Sequence, residues 1–292
     1  MNTKDLAYFT CLVEIKNFSK VAEHFKVQQP TITTAIKRLE KEFSTTLFIR
    51  DRKHNTLEIT TSGQQLFQRS QIILNELTLA QKEIDRINRE QLVLGLPPII
   101  ENHYFSKICQ KLADAQILNR LTTVEAGSVS LTQAIHEGTI DLSLLGSINP
   151  INDDDLIASE IERQPFCIYV SNKHPLAKYD QIRFKTLVNE NFVFFKQNFI
   201  HNQAFTQLSH QNNFHPKIIF KSNDLNMLMK LINQNLGIGF FTRIVNTDAY
   251  DIKKLNLLDA NAPQFITSLV YRRHQFLTPS QIQLINVLKN NL

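Results

Sequence analysis

Apolar side chains recur every three or four residues at the start of the chain, a pattern that predicts short helices. A first helix is expected over 3–16, with Asn17 ending it. A second is expected over 20–25 with Ser19 as its N-cap, because a serine hydroxyl can accept the N–H groups left free at a helix start. A third begins at Gln29. Its apolar stripe consists of Ile32, Ala35, Ile36, Leu39 and Phe43.

The face of the third helix opposite this stripe is polar and basic. It carries Pro30, Thr34, Lys37 and Lys41, flanked by Thr33 and Arg38. Short hydroxyl side chains allow close approach to base edges, and cations contact phosphates. An ordinary solvated helix face has a similar composition. The position of this helix, between a short helix and a basic hairpin, favours the DNA-binding interpretation.

Two short strands are predicted at 47–49 and 57–59, joined by the charged segment RDRKHN at 50–55. A cationic hairpin tip can enter the minor groove or contact phosphates. Three helices followed by such a hairpin predict a winged helix-turn-helix, which places one helix in the major groove. We therefore expect a DNA-binding domain over 1–61.

A long helix follows from about Gly63 to Asn88, with Thr61 and Ser62 as its cap. Side chains on one of its faces alternate at four- and three-residue spacing. They are Leu66, Ser70, Ile73, Leu77, Ala80, Ile84 and Ile87. This heptad pattern predicts a coiled-coil seam between two chains, so the linker over 62–90 is expected to dimerise the protein. Packing of the seam against the C-terminal domain of the same chain is the alternative.

From residue 91 onward, strand and helix patterns alternate. Strands are predicted at 91–96, 121–125, 140–145, 166–171, 192–195, 217–221, 238–241 and 267–271. Helices are predicted from after the break at Pro97 and Pro98 to about residue 116, and at 128–137, 203–212, 223–235 and 278–289. The alternation predicts an α/β effector domain over 91–292 with a largely parallel, doubly wound sheet. Two lobes are expected, lobe I over 91–160 and 267–292 and lobe II over 161–266, with a ligand cleft between them.

Composition adds few constraints to this picture. Hydrophobic residues make up 42% of the 292 residues and charged residues 20%, which is typical of a globular protein. The net charge is +5, and residues 1–61 hold ten Lys or Arg against seven Asp or Glu, so most of the excess lies in the predicted DNA-binding domain. No signal peptide or apolar membrane span is apparent, so we expect a cytoplasmic protein without a membrane partner.

The sequence predicts no enzyme activity. Cys11, Cys109 and Cys167 are scattered, and no zinc-ligand spacing involves them. No phosphate-binding loop or nucleophile elbow is present. We therefore expect no catalytic residues, no metal and no cofactor.

Several motifs resemble the LysR-type transcriptional regulators. The most specific are NFSKVAEHFKVQQPTITTAIKRLEKEF at 17–43 and LFIRDRKHNTLEITTSGQQLF at 47–67. KHPLA at 173–177 and NLGIG at 235–239 are similar to stretches of the family's regulatory domain. The resemblance covers the whole chain. It implies a winged helix-turn-helix, a dimerising linker helix and a two-lobed effector domain like that of periplasmic binding proteins.

The resemblance also implies site residues. The predicted DNA-binding residues are Ser19, Gln29, Pro30, Thr31, Thr33, Thr34, Lys37 and Arg38, with Arg50, Arg52 and Lys53 in the wing. The predicted effector-binding residues are Pro98, Ile99, Ser128, Val129, Ser147, Phe195 and Lys196. Ser128 could instead be a plain N-cap. The chain departs from the family at Ser44, where a glycine usually ends the third helix, and in the loop LPPIIENHY, which lacks the usual hydroxyl residue.

The expected partners are double-stranded DNA, a small-molecule effector and further copies of the chain, as a homodimer and a homotetramer, with RNA polymerase as a partner if the protein is an activator. The effector is expected to be a small organic acid, because Lys196 and helix N-termini favour anions. The alternatives are a two-lobed solute-binding protein and an α/β enzyme with a helical extension. The sequence does not identify the effector, the operator or the regulated genes.

Overall fold

A computed structural model describes residues 2–51, 56–196, 199–213 and 215–292, without the side chains of residues 50, 51 and 56. The chain divides into two compact units, residues 1–85 and 86–292.

The first unit contains the predicted helices and hairpin. Its elements are α1 (Thr3–Ile15), α2 (Phe18–His24), α3 (Gln29–Glu42), β1 (Phe48–Asp51), β2 (Thr56–Ile59) and α4, which extends over Thr61–Asn88. The strands β1 and β2 pair antiparallel, with Phe48 opposite Ile59. Leu6 and Phe9 of α1 and Leu39 of α3 are almost completely buried and form the centre of a small core. The winged helix-turn-helix prediction is confirmed.

The helix caps differ from the sequence prediction. Asn17, not Ser19, caps α2, since its extended backbone lets its side chain accept the Lys20 N–H at 3.0 Å. Ser19 is the second residue of α2 and therefore lies inside the first turn of the helix. Thr60, not Thr61 or Ser62, caps α4, and its Oγ1 accepts the Gly63 N–H at 3.0 Å.

The end of α3 is a Schellman motif with a serine at the left-handed position. The Thr45 N–H donates to the Glu40 carbonyl at 3.0 Å and the Ser44 N–H to the Lys41 carbonyl at 3.3 Å. Ser44 has φ 49°, the conformation that normally favours glycine. Phe43, predicted to face the core, is 46% exposed because it lies past the last helical turn.

The second unit alternates strands and helices. Its first part contains β3 (Leu92–Leu96), α5 (Pro98–Ile100), a π-helical turn (Glu101–Phe105), α6 (Ser106–Asp114), β4 (Leu121–Glu125), α7 (Ser128–His136) and β5 (Leu142–Ser147). The remainder contains β6 (Leu156–Ser171), β7 (Gln181–Ile182), β8 (Asn191–Phe195), α8 (Ile200–Gln211), β9 (Lys217–Ser222), α9 (Leu225–Asn233), β10 (Gly239–Thr242), β11 (Ile252–Leu257), β12 (Gln264–Arg272) and α10 (Pro279–Asn291).

The sheet of this unit is mixed, so the prediction of a largely parallel sheet is wrong. The strand order is β4-β3-β5-β12-β6-β11-β7, and β10 also pairs with β6. β3 is parallel to β4 and β5, but β12 is antiparallel to β5 and β6. The reason is that β6 crosses from the first lobe to the second whereas β12 returns, so the two crossing strands run in opposite directions. The two-lobed architecture is confirmed.

Candidate functional site

The polar face of α3 has the predicted accessibility. Gln29, Pro30, Thr31, Thr34 and Lys37 are exposed. Thr33 is half-buried, and its hydroxyl donates to the Gln29 carbonyl at 3.3 Å, an intrahelical bond that leaves its methyl group and oxygen lone pairs outermost. The apolar residues Ile32, Ala35, Ile36 and Leu39 hold the opposite face in the core. The helix therefore presents a face of small hydroxyls near its start and of the exposed lysines Lys37 and Lys41 further along.

Arg38 has a different environment from its neighbours on α3. Its guanidinium forms two hydrogen bonds with the carboxylate of Asp5, from Nε at 3.1 Å and from Nη2 at 2.5 Å. This hydrogen-bonded pair raises the pKa of Arg38 above its ordinary value. Ser19, predicted as a DNA contact, is exposed on α2.

The predicted wing residues are only partly located. Arg50 lies in β1, where its backbone pairs with Leu57, but its side chain is not described. Arg52 and Lys53 lie outside the described residues.

A crevice in the second unit brings together three of the predicted effector residues. It is lined by Pro97, Pro98, Ile99, Ser128, Phe199, Ile200, His201 and Phe265. The helices α5, α7 and α8 all begin at this crevice, and none of them has a side-chain cap at its N-terminus. Uncapped helix N-termini favour anions, because their first N–H groups have no partner within the helix. The crevice is partly open to solvent and has only about 10 Å³ of free space, less than a small-molecule ligand occupies.

Ser128 is the polar side chain at the start of α7. The N-cap of this helix is Gly127, so the interpretation of Ser128 as a plain N-cap is wrong. The Ser128 Oγ instead accepts the Gly146 N–H at 2.9 Å, which joins α7 to the end of β5. Because Oγ is the acceptor in that bond, its hydrogen can be donated to a ligand in the crevice.

His201 adds polarity to the crevice without adding charge. It is 3% exposed, and its Nε2 accepts the Thr242 N–H at 3.4 Å. The rings of Phe166, Phe195, Phe241 and Phe265 surround it at 5.2–6.0 Å between centroids. Burial among these rings lowers the pKa of His201 to about 3, so the imidazole is neutral at physiological pH.

The other predicted effector residues do not line the crevice. Phe195 is fully buried and stacks on Phe199 at 4.4 Å between ring centroids. Lys196 and Val129 are exposed. Ser147 ends β5, one residue after Gly146, and its Oγ is a buried atom with no hydrogen-bond partner in the described part of the chain. The prediction of a lysine facing the effector therefore finds no support in the geometry.

The sequence analysis did not predict Pro97, Phe265 and three residues around the start of α8 as part of the crevice. Phe199, Ile200 and His201 were placed in a loop, because the helix was predicted to begin at residue 203. The spacing of Ile200, Ala204 and Leu208, at four-residue intervals, is the signal that extends the helix backward.

Two other features lie away from the crevice. A pocket of about 360 Å³ is lined by residues of α8, by Asn213, His215 and Pro216 in the segment that follows, and by Ile218 of β9, and none of the predicted effector residues lines it. Possible metal-ligand atoms of His136, Asp153 and Asp155 lie within 4.8 Å of one another. His136 Nε2 and Asp153 Oδ2 also lie 3.0 Å apart, within hydrogen-bond distance, and this contact joins the end of α7 to the loop before β6.

Comparisons with known proteins place both units in one family. Residues 3–64 match the bacterial regulatory helix-turn-helix proteins of the lysR family, and residues 86–292 match the LysR substrate binding domain. The malolactic fermentation system transcriptional activator of Lactococcus lactis is 32% identical over 290 residues, covering 99% of this chain and 98% of that protein.

Solved structures show the same fold. The effector-binding domain of QuiR in complex with shikimate aligns with a TM-score of 0.60 at 19% identity, covering 68% of this chain and 95% of that one. Full-length OxyR from Pseudomonas aeruginosa aligns with a TM-score of 0.58 at 19% identity, covering 100% and 99%. Among the described residues, the structure contains no helix long and apolar enough to span a membrane. With its helix-turn-helix unit and its two-lobed effector unit, the chain belongs to the LysR family of DNA-binding transcriptional regulators.

Proposed function

We propose that this regulator activates transcription when a small organic acid binds between the lobes of its effector domain. The observation that carries this proposal is the meeting of two helix N-termini without a described side-chain cap, those of α7 and α8, with the Ser128 hydroxyl in one crevice. Backbone N–H groups and a hydroxyl hydrogen suit a carboxylate, and the helix dipoles favour its charge. The malolactic fermentation system transcriptional activator, which matches almost the whole chain, supports the assignment as an activator.

The crevice limits the kind of acid. Its walls are largely apolar, with Pro98, Ile99, Phe199 and Phe265, and His201 is neutral. Among the residues that the structure describes, no lysine or arginine lines the crevice. A second carboxylate would therefore depend on backbone N–H groups alone. We expect Ser128 and the first turns of α7 and α8 to select the acid.

DNA contacts are assigned to the exposed face of α3. Gln29, Pro30 and Thr33 would approach base edges, and Thr31, Thr34 and Lys37 would surround them. Ser19 and the wing residues Arg50, Arg52 and Lys53 would contact the backbone of the duplex. One such module reads too few base pairs to specify a genomic site, so binding as a dimer to two half-sites is part of the proposal.

The dimer is assigned to α4. Leu66, Phe67 and Leu74 of this helix pack on the core of the first unit. The remaining apolar side chains of the seam, which we call the bare stripe, are about half exposed to solvent: Ile73 42%, Leu77 47%, Ile84 53% and Ile87 48%. Burial of this stripe against a second copy would produce the homodimer, and two dimers would form the homotetramer. The domain boundaries that follow are 1–61, 62–90 and 91–292, and an activator of this kind would contact RNA polymerase.

Two measurements on the full-length protein test the proposal. Calorimetry with L-malate, shikimate, glycerol and putrescine should detect binding of an acid, and Ser128→Ala should weaken it by roughly tenfold, the loss of one hydrogen bond to a charged group. Footprinting of DNA upstream of the gene should then change when that acid is added. Binding of only the neutral or cationic compounds would refute the organic-acid assignment. An absence of salt-sensitive DNA binding would refute the DNA contacts.

A further inference from the structure

The two hydrogen bonds between Arg38 and Asp5 join the DNA-binding helix α3 to the first turn of α1, 33 residues earlier in the chain. Asp5 is 1% exposed at its side chain, whereas Arg38 is 52% exposed. A bidentate pair of this kind fixes distance and orientation together, because the planar guanidinium matches the carboxylate at two points.

Asp5 is itself held in place. Its backbone N–H donates to the Asn2 Oδ1 at 2.9 Å, and its Oδ2 accepts the Asn2 N–H at 3.4 Å, which forms a capping box at the start of α1. The carboxylate therefore has a defined position near the positive end of the helix dipole. Arg38 is attached to a rigid point and not to a mobile surface acid.

The contacts elsewhere between α1 and α3 are apolar. Phe9 and Leu12 of α1 and Leu39 of α3 are fully buried in the same core cluster. Close packing of these side chains holds the two helices together and restricts the rotation of α3 about its axis. The Arg38 side chain adds the directional contact. The rotation of α3 about its axis matters because Gln29, Thr33 and Lys37 lie along the helix at four-residue spacing and must reach the DNA together.

We propose that Arg38 is a positioning residue. It sets the rotation of α3 on α1 through Asp5 and thereby determines the sequence specificity of DNA binding, and it is not one of the phosphate contacts. Two of its three guanidinium nitrogens are already committed to Asp5. This assignment replaces the direct DNA contact expected from the sequence.

The two roles make different predictions for DNA binding. A phosphate contact contributes about 0.9 to the slope of log affinity against log salt, and its loss weakens binding to every sequence about equally. A positioning residue contributes nothing to the salt slope, and its loss reduces the preference for the correct sequence. Lys37, the adjacent exposed cation on α3, provides the matched control.

The experiment uses the full chain and two duplexes of equal length, one selected from a random library by the wild-type protein and one unrelated. The variants are Arg38→Lys, Arg38→Gln, Asp5→Asn, the double variant Asp5→Asn with Arg38→Gln, and Lys37→Gln. We expect each Arg38 and Asp5 variant to lower the ratio of the two affinities roughly tenfold with an unchanged salt slope. The double variant should be no worse than either single one. Lys37→Gln should instead weaken both complexes and lower the slope by about 1.

Arg38→Lys is the decisive variant, because lysine keeps the charge but cannot form the bidentate pair. If Arg38→Lys binds like wild type while Arg38→Gln loses about one unit of salt slope, Arg38 is a phosphate contact and the proposal is wrong. Circular dichroism melting identifies any variant that is unfolded at the assay temperature. Should Asp5→Asn be unfolded, the comparison of Arg38→Lys with Arg38→Gln still decides between the two roles.

Discussion

Replacing Leu77 by lysine tests whether α4 pairs with a second chain. Leu77 lies in the middle of the bare stripe and is 47% exposed in the single chain. Because it makes few contacts within its own unit, the substitution should leave the fold of each unit unchanged. Its effect should fall on association.

The magnitude follows from the exposed fraction. Full burial of a leucine side chain contributes about 1.5–3 kcal/mol, so covering the half that is still exposed contributes about 1 kcal/mol per chain. A symmetric dimer contains two copies, and two lysines about 4 Å apart in water would add roughly 1 kcal/mol of repulsion. The total of about 3 kcal/mol corresponds to a roughly 100-fold weaker dimer.

Sedimentation equilibrium measures this change, and Asn75→Lys is the matched control. Asn75 is exposed and lies two residues earlier, about 200° around the helix, so it adds the same charge on the opposite face. We expect Leu77→Lys to shift the protein toward smaller species and Asn75→Lys to leave its mass unchanged. Equal masses for both variants would show that α4 does not form the interface.

Three further substitutions test the described geometry. Ser44→Gly should stabilise the protein by roughly 0.5–1 kcal/mol in urea unfolding, since φ 49° disfavours serine, and a loss of stability would contradict the argument. The pKa of His201 is lowered to about 3, so its imidazole stays neutral in the folded state, whereas in the unfolded state it takes up a proton below about pH 6.5. The free energy of unfolding should therefore fall by roughly 1.4 kcal/mol per pH unit below that pH. His201→Phe should remove this part of the pH dependence, and an unchanged slope between pH 6 and pH 5 would refute it. Gly146→Ala would place a Cβ atom 2.4 Å from the Phe265 ring, so denaturation should show a loss of roughly 1–3 kcal/mol, and a change under 0.5 kcal/mol would mean that the ring moves freely.

The DNA-binding unit was predictable because local patterns determine it. The apolar stripe of α3 buries Ile32, Ala35, Ile36 and Leu39 as expected, and its first residue was predicted correctly. The Arg38–Asp5 pair was not predictable, because nothing in the spacing of two charges 33 residues apart shows that they meet. The sequence therefore predicted a DNA contact for Arg38, a cation on the polar face of the DNA-binding helix.

The second unit was harder because its crossing strands depend on tertiary pairing. The sequence predicted only 166–171 of β6, where consecutive residues are buried. The first part of the strand, beginning LIASEIERQ, consists mostly of half-buried and exposed residues and contains charged side chains. Its strand structure comes from pairing with β12 along 156–165. β11, with the sequence IKKLNL, was missed for the same reason.

The narrow crevice and the crossing strands together constrain how an effector could act. Ligand sites usually enclose about 300–1,000 Å³, whereas the crevice has about 10 Å³ of free space, so it must widen to hold an acid, and we expect this widening to come from movement of the lobes. The lobes are joined by the paired strands β6 and β12, and the register of that pair shifts between Thr267 and Ser268, opposite Glu162 and Glu160. A bulge interrupts the ladder of hydrogen bonds and permits a local bend. It lies where the predicted lobe boundaries at 160–161 and 266–267 meet, so we expect the lobes to move about this point. Part of the free energy gained from the contacts of the acid would then be used to open the crevice. The regulator would respond only to acids whose contacts contribute more free energy than the opening costs.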